Sequence, residues 1–369
     1  MRLEAIDVAR GLAALSVAVY HHGFGNALVK ATERPEFELL DWPGSRIAVP
    51  IFFVISGFCI HRSWLVRKRD EGFFRAFFIQ RFFRIYPPWV FAVIVSGLAR
   101  WLMGVPATGR EWLTHLTLTN GFFDDYRLNA ALWSVSVESL LYLIYPLWLT
   151  IRRRRGLVTA CGVALAVNIA SCCVTALLYE RPSGPLLWFF LNVWCGWLAG
   201  AVLAELLQAR GTRLLRHNSW WLAGAAAWSL HLGSKFTGVY HGPAAFAELP
   251  LTIVLCIWPL ALLIRLADTV EAKPVTLLAT GWRGAAHVGL FSYSLYLLHI
   301  PLQALRFPVN FYLSSVAAKT VLLTGWFAGI LIISWLAYRW IELPSAQWGR
   351  RIVARRSPAR EVATQSVIA

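Results

Sequence analysis

The chain has 369 residues, 58% of them hydrophobic and 15% charged, with 22 Phe and 19 Trp, an apolar share above that of a soluble domain. Its apolar runs are ~17 to 25 residues long, the length a helix needs to cross a ~30 Å hydrocarbon core. The alternating pattern of a strand barrel is absent, which leaves an all-α, polytopic transmembrane helix bundle. The net charge of +16 raises the question of nucleic acid, but its placement argues for topology and lipid headgroup contact instead.

About ten spans are predicted, at residues 6–24, 46–64, 86–104, 130–151, 156–178, 186–208, 218–234, 247–266, 285–305 and 313–338. Residues 112–123 are too short to cross and read as an interfacial or re-entrant piece. The 218–234 run is weakened by Ser229, His231 and Gly233, so nine or eleven spans stay open. The first run is followed by no small-residue cleavage site and reads as an uncleaved span. With the N-terminus inside, 25 of the 35 Lys and Arg residues fall on the inner side. The positive-inside rule then predicts a multi-pass protein of the cell (inner) membrane with both termini cytoplasmic. The loop 65–85 mixes Arg with pairs of Phe as an interface-lying amphipathic helix does, and Pro87 and Pro88 are expected to end it. Residues 1–344 form the transmembrane domain, and the basic segment 345–369 is expected to be a disordered cytoplasmic tail. All six cysteines fall within predicted spans and read as packing residues, with no disulfide framework and no metal spacing.

Five groups of polar residues stand out in this apolar setting. Arg10 and His21 are eleven positions apart, three helical turns, so they share a face, with Asp7 on nearly the same stripe. Charged side chains inside a membrane are costly and usually line a pathway or a reaction site. An Arg10 anchor paired with Asp7, with His21 capping the outer end, fits the spacing equally well. Arg81 and Arg84 are three apart at the inner end of the third span, a fork suited to a phosphate or pyrophosphate group, or to a basic interfacial anchor.

Glu138 follows Trp133, Ser134 and Ser136 and precedes Tyr142 and Tyr145. Counting ~1.5 Å per residue puts it at about the depth of His21, where a carboxylate orients an imidazole and raises its basicity; a carboxylate bonded within the bundle for folding is the alternative. His299 ends a run containing Ser292, Tyr293, Ser294 and Tyr296, which lines a polar cavity or supplies interhelical hydrogen bonds. Glu342 is expected to form a local ion pair with Arg339.

These residues sit in segments that resemble the acyltransferase 3 family of integral membrane acyltransferases, which O-acylate sugars of surface and secreted glycans and some small molecules. The resemblance rests on RGLAALSVAVYH at 10–21, FFVISGF at 52–58, RFFRIYP at 81–87, WSVSVE at 133–138, SYSLYLLH at 292–299 and RWIELP at 339–344, in the family's order. It implies an enzyme that takes an acyl group from cytoplasmic acyl-CoA, with acetyl-CoA the expected donor, and delivers it to a hydroxyl of a carbohydrate or glycan acceptor toward the outer face.

By resemblance, Arg10 and His21 match the family's arginine and histidine pair, His21 being essential, with Glu138 as the third catalytic residue. Arg81 and Arg84 match its donor-side two-arginine motif. Ser136, Tyr142, Tyr296 and His299 are candidates for lining the acceptor cavity. Family patterns often carry a second acidic residue after the Glu138 equivalent; here it is Ser139. The expected partners are the lipid bilayer, acyl-CoA and the glycan, with no bound cofactor, metal or nucleic acid. The competing class is a transporter or flippase using the same intramembrane polar residues, although the paired broken helices of two related halves are not seen. Nothing in the chain selects an acceptor or an oligomeric state.

Overall fold

A computed structural model describes residues 4–66, 72–121, 123, 125–178, 190–236, 245–272, 276–306 and 316–355. Among the described residues every regular element is helical. In chain order the helices are α1 (Glu4–His22), α2 (Phe24–Thr32), α3 (Trp42–Arg46), α4 (Ala48–Val66), α5 (Phe73–Leu102), α6 (Gly109–Leu116), α7 (Trp133–Arg155), α8 (Leu157–Leu178), α9 (Trp194–Arg210) and α10 (Asn218–Phe236). They continue with α11 (Ala245–Leu255), α12 (Ile257–Ala272), α13 (Leu277–Leu290), α14 (Ser292–Ala304), α15 (Val316–Ala337) and, after a π-helical turn at Tyr338–Glu342, α16 (Leu343–Arg355).

Six helical stretches are long and apolar enough to cross a membrane: Ala48–Val66, Phe73–Leu102, Ala130–Arg155, Leu157–Leu178, Ala247–Ala267 and Ala318–Arg355. The chain is therefore a multi-pass helical membrane protein, with six such stretches among the described residues where about ten were expected. The shortfall has visible causes. The first expected span, α1, carries Glu4, Asp7 and Arg10; the 285–305 run is broken at Phe291 into helices of 14 and 13 residues; and α9 is 17 residues long.

Two helix pairs are in backbone contact through a glycine on each side. A Cβ at Gly57 would strike the Trp197 carbonyl and one at Gly200 the Val54 carbonyl, joining α4 to α9. Likewise Gly11 and Gly289 abut the carbonyls of Ala285 and Asp7, joining α1 to α13. In lipid there is no hydrophobic drive to pair apolar helices, so close approach through small residues does that work. These seams fix α1 and α4, the helices that carry Arg10 and Ser56. At the far end of α7, Arg152 makes a bidentate pair with Glu205 (2.7 and 2.9 Å), whose carboxylate also accepts from His61 at 2.8 Å. That pair ties α4, α7 and α9 together.

Two expectations about segment ends need correction. Pro87 and Pro88 do not separate the Arg/Phe-rich segment from the third span: α5 is one helix of 30 residues running through both. The prolines remove the N–H donors to the Phe83 and Arg84 carbonyls, yet the helix runs on, and at the next carbonyl, Ile85, the Tyr293 hydroxyl of a neighbouring helix donates at 3.0 Å. Residues 345–355 of the expected disordered tail are helical in α16 and pack on α5, where Gly349 is buried against the Phe83 ring. Residues 356–369 lie outside the described residues.

The connection between α5 and α7 is a built loop. The Thr108 hydroxyl accepts from the Glu111 N–H while the Glu111 carboxylate accepts from the Thr108 N–H, a reciprocal cap on α6. Trp89 and Tyr86 donate to the carbonyls of His115 and Leu116 (2.7 and 3.1 Å). Asn129 donates to Ser96 and to the Leu297 carbonyl. The loop is thus fastened to α5 and α14.

Candidate functional site

Five helices converge on a cavity with about 790 Å³ of atom-free space. Arg10 enters from α1, Ser56 and Cys59 from α4, Arg81 and Arg84 from α5, Ser134, Glu138 and Tyr142 from α7, and Tyr293 and Tyr296 from α14. Three guanidinium groups against one carboxylate make its lining strongly cationic. The Arg81 guanidinium lies over the rings of Phe77 (5.7 Å) and Tyr142 (5.4 Å), which holds it flat while leaving its N–H edge for a ligand. Arg10 donates to the Cys59 sulfur at 3.6 Å and is within electrostatic reach of Asp7, Glu138 and Tyr142.

Glu138 is held by a directional chain. The Tyr142 hydroxyl donates to its carboxylate. That uses the only phenolic proton, so in the 3.2 Å contact between Tyr142 and Ser56 the serine donates. The Trp197 indole N–H in turn donates to Ser56 at 3.2 Å. The chain fixes the rotamer of Glu138 against α4 and α9.

The expectation that Glu138 orients His21 is not what the contacts give. His299 holds that place: its Nε2 is 3.2 Å from Nδ1 of His21, with ring centroids 5.1 Å apart. Nδ1 of His21 is also 3.0 Å from the Val17 carbonyl, and Gln303 donates to the His21 carbonyl. His21 does not line the cavity; Tyr296, which does, is on the turn before His299, their rings 5.6 Å apart. Tyr296 bonds Ser134 (2.7 Å) and donates to the Ala131 carbonyl (2.9 Å). His22 is turned away from His21, to the Leu323 carbonyl at 2.8 Å, as a rotation of about 100° per residue requires.

Two further placements differ from expectation. Ser136 faces the α5–α7 loop, donating to Asn120 at 2.7 Å, while Ser134, half a turn earlier on α7, lines the cavity. Glu342 does not lean on the exposed Arg339. The π-turn carries it inward, where it is 4% exposed, accepts from Ser294 at 2.6 Å and acts electrostatically on Arg84 and Arg10. Such one-turn bulges are frequent at functional sites. Cys59 and Ser56 were missed as cavity residues because each is a small side chain in an otherwise apolar run.

A multi-pass helical protein with an arginine-lined cavity and a paired histidine at the end of its first helix defines the class, and comparison gives the family. The model of the acyltransferase 3 family, described as an acyltransferase domain, matches residues 3–339, so the chain belongs to that family. It is similar to acyltransferase MdmB of Streptomyces mycarofaciens, 29% identical over 69% of this chain and 67% of that one. It is 25% identical to the protein named "Putative peptidoglycan O-acetyltransferase YrhL" of Bacillus subtilis (strain 168), over 96% of this chain and 56% of that one. Nodulation protein 10 of Rhizobium leguminosarum bv. viciae is 26% identical over 48% of this chain and 56% of its own length. No solved structure matches the chain.

Proposed function

We propose that this protein is a membrane O-acyltransferase that takes an acyl group, acetyl being the expected one, from cytoplasmic acyl-CoA and transfers it to a hydroxyl of a carbohydrate or glycan acceptor at the outer side. The observation that carries this reading is the convergence of Arg10, Arg81 and Arg84 on one cavity whose far wall, Tyr296, adjoins the His299–His21 pair. A cavity with an excess of guanidinium groups suits a polyanion. CoA is one, too charged to cross the membrane, so its phosphates stay at the arginines while the slim pantetheine arm reaches between the helices. Arg10 and His21 are eleven residues apart on α1, about 16 Å at 1.5 Å per residue, a distance an extended pantetheine arm can bridge. His21 then acts as base to the acceptor hydroxyl or as acyl relay. The positive-inside distribution of Lys and Arg supports both termini being cytoplasmic. The name of the Bacillus relative supports a glycan acceptor.

The test is mass spectrometry of surface glycans from cells with the protein, without it, and with His21→Ala. The expected result is a mass difference of one acyl group that is present only with the wild type. Acylation retained with His21→Ala in a stably inserted protein removes His21 from the reaction, and no mass difference between cells with and without the protein removes the glycan acceptor.

A further inference from the structure

The contacts around His21 determine which of its two ring nitrogens is free to react. A carbonyl oxygen only accepts, so a ring nitrogen bonded to one must carry a proton. Nδ1 of His299 is 2.7 Å from the Tyr296 carbonyl, so that nitrogen is the N–H and, in the neutral ring, Nε2 holds the lone pair. Nδ1 of His21 is 3.0 Å from the Val17 carbonyl, so it too is an N–H, and its proton is shared between Val17 and the Nε2 lone pair of His299 at 3.2 Å. Both rings are thereby committed to one tautomer, and Nε2 of His21 is left with its lone pair.

The two residues of α14 that make these contacts are one turn apart. His299 holds the ring and Gln303 donates to the His21 backbone carbonyl, while His299 is itself 1% exposed and packed against Tyr296. α14 therefore grips the end of α1 at both side chain and main chain. Ring orientation and tautomer are the two properties that a base or nucleophile needs from its supporting partner. In many enzymes a carboxylate supplies them; here a neutral imidazole does.

We propose that His299 is a positioning residue that holds His21 in the Nδ1–H tautomer, making Nε2 of His21 the atom that reacts. The proposal rests on His21 being the transferring group. In the direct route, Nε2 takes the proton of the acceptor hydroxyl as its oxygen bonds the acyl carbon and the C–S bond breaks; the proton then passes to the CoA thiolate, giving ester and free thiol. In the relay route, Nε2 bonds the acyl carbon as CoA leaves as thiolate. The acceptor oxygen then displaces Nε2, which takes the hydroxyl proton and returns it to the thiolate. Either route uses the same nitrogen.

The test uses full-length protein in membranes that hold its native acceptor, with acetyl-CoA as donor and release of free CoA thiol as readout. His299→Phe keeps an aromatic ring and removes the acceptor nitrogen; it is expected to lower kcat about tenfold or more with KM for acetyl-CoA unchanged, and His299→Gln, which again offers an acceptor, is expected to recover part of the loss. In a His21→Ala background the His299→Phe change is expected to have no further effect. Wild-type kcat with His299→Phe, while His21→Ala is inactive, overturns the positioning role but leaves the catalytic role of His21. Activity with His21→Ala overturns that underlying reading instead. Independently of whether His299→Phe folds, replacing His21 with Nε2-methylhistidine is expected to abolish thiol release; retained activity overturns the assignment of Nε2.

Discussion

Replacing Arg84 tests the donor reading most directly, because the structure places it in the cavity beside Arg81 and Arg10. A hydrogen bond to a charged group contributes about 1.5–3 kcal/mol, so Arg84→Ala should raise the Kd for acetyl-CoA about 10- to 150-fold. The change also leaves the buried Glu342 with one cation fewer nearby, so a stability control is needed. Arg84→Lys provides it: the charge is kept and the fold with it, while the bidentate fork is lost, and affinity should recover only partly. For Arg81 a lysine also forfeits stacking on Phe77 and Tyr142. If both arginines hold one diphosphate, the double mutant should lose less than the sum of the single losses, since contacts to a shared group are not additive. Binding is read by equilibrium titration of labelled CoA into detergent-purified protein. An unchanged Kd in a folded Arg81→Ala/Arg84→Ala protein would falsify the assignment of this cavity to the donor.

Gly57→Ala should destabilise the protein by about 1–3 kcal/mol through overpacking, because its Cβ meets the Trp197 carbonyl, whereas Gly162→Ala, with open space around it, should be neutral or slightly stabilising; equal thermal shifts in detergent would refute the seam. Glu111 is the third case. Burial alone would raise its pKa, but the Thr108 N–H, Arg100 and the Thr108 hydroxyl outweigh that and hold it at about 2, against an ordinary 4.5. A depressed carboxylate stabilises the fold above its unfolded pKa and loses that contribution as pH falls toward the folded one. The stabilisation is of order 3 kcal/mol near neutral pH, so the gap in melting temperature between wild type and Glu111→Gln should narrow on going from pH 6 to pH 3. A gap independent of pH would refute it.

Helical periodicity made several placements readable from sequence. The eleven-residue spacing put Arg10 and His21 on one stripe and turned His22 away, and both are observed, with His22 bonded to Leu323. The three-residue fork of Arg81 and Arg84 and the aromatic and carboxylate positions of Tyr142, Tyr296 and Glu138 also meet in one cavity. What periodicity does not supply is the lateral arrangement of helices. Glu138 and His21 have similar estimated depths along their own axes, but depth says nothing about which helix stands next to which, and α14 rather than α7 is hydrogen-bonded to His21. The same gap explains Ser136: the right helix and about the right depth, but half a turn from the face that meets the cavity. Glu342 departs from its expected pairing with Arg339 because the chain forms a π-turn there instead of an α-helical one, and the side chain is carried inward.

The geometry separates two requirements that conflict if met at one place. Recognition of a polyanion needs several cations close together, and a histidine set among them would be disfavoured as a proton acceptor by their repulsion. Here the three arginines line the cavity, and His21 lies about 16 Å further along α1 than Arg10. The ring is supported not by a carboxylate but by His299 and the Val17 carbonyl, and His299 is itself held by the Tyr296 carbonyl. The cavity wall that adjoins His299 includes Tyr296, whose ring packs on Phe52 with centroids 5.8 Å apart and whose hydroxyl is bonded to Ser134. Under the proposed function this is the stretch a thioester arm must thread. These three side chains carry no formal charge, so they offer no cation to hold the phosphates. Under the proposed function, binding and transfer are thus divided along one helix, with Arg10 and His21 on a single stripe without touching.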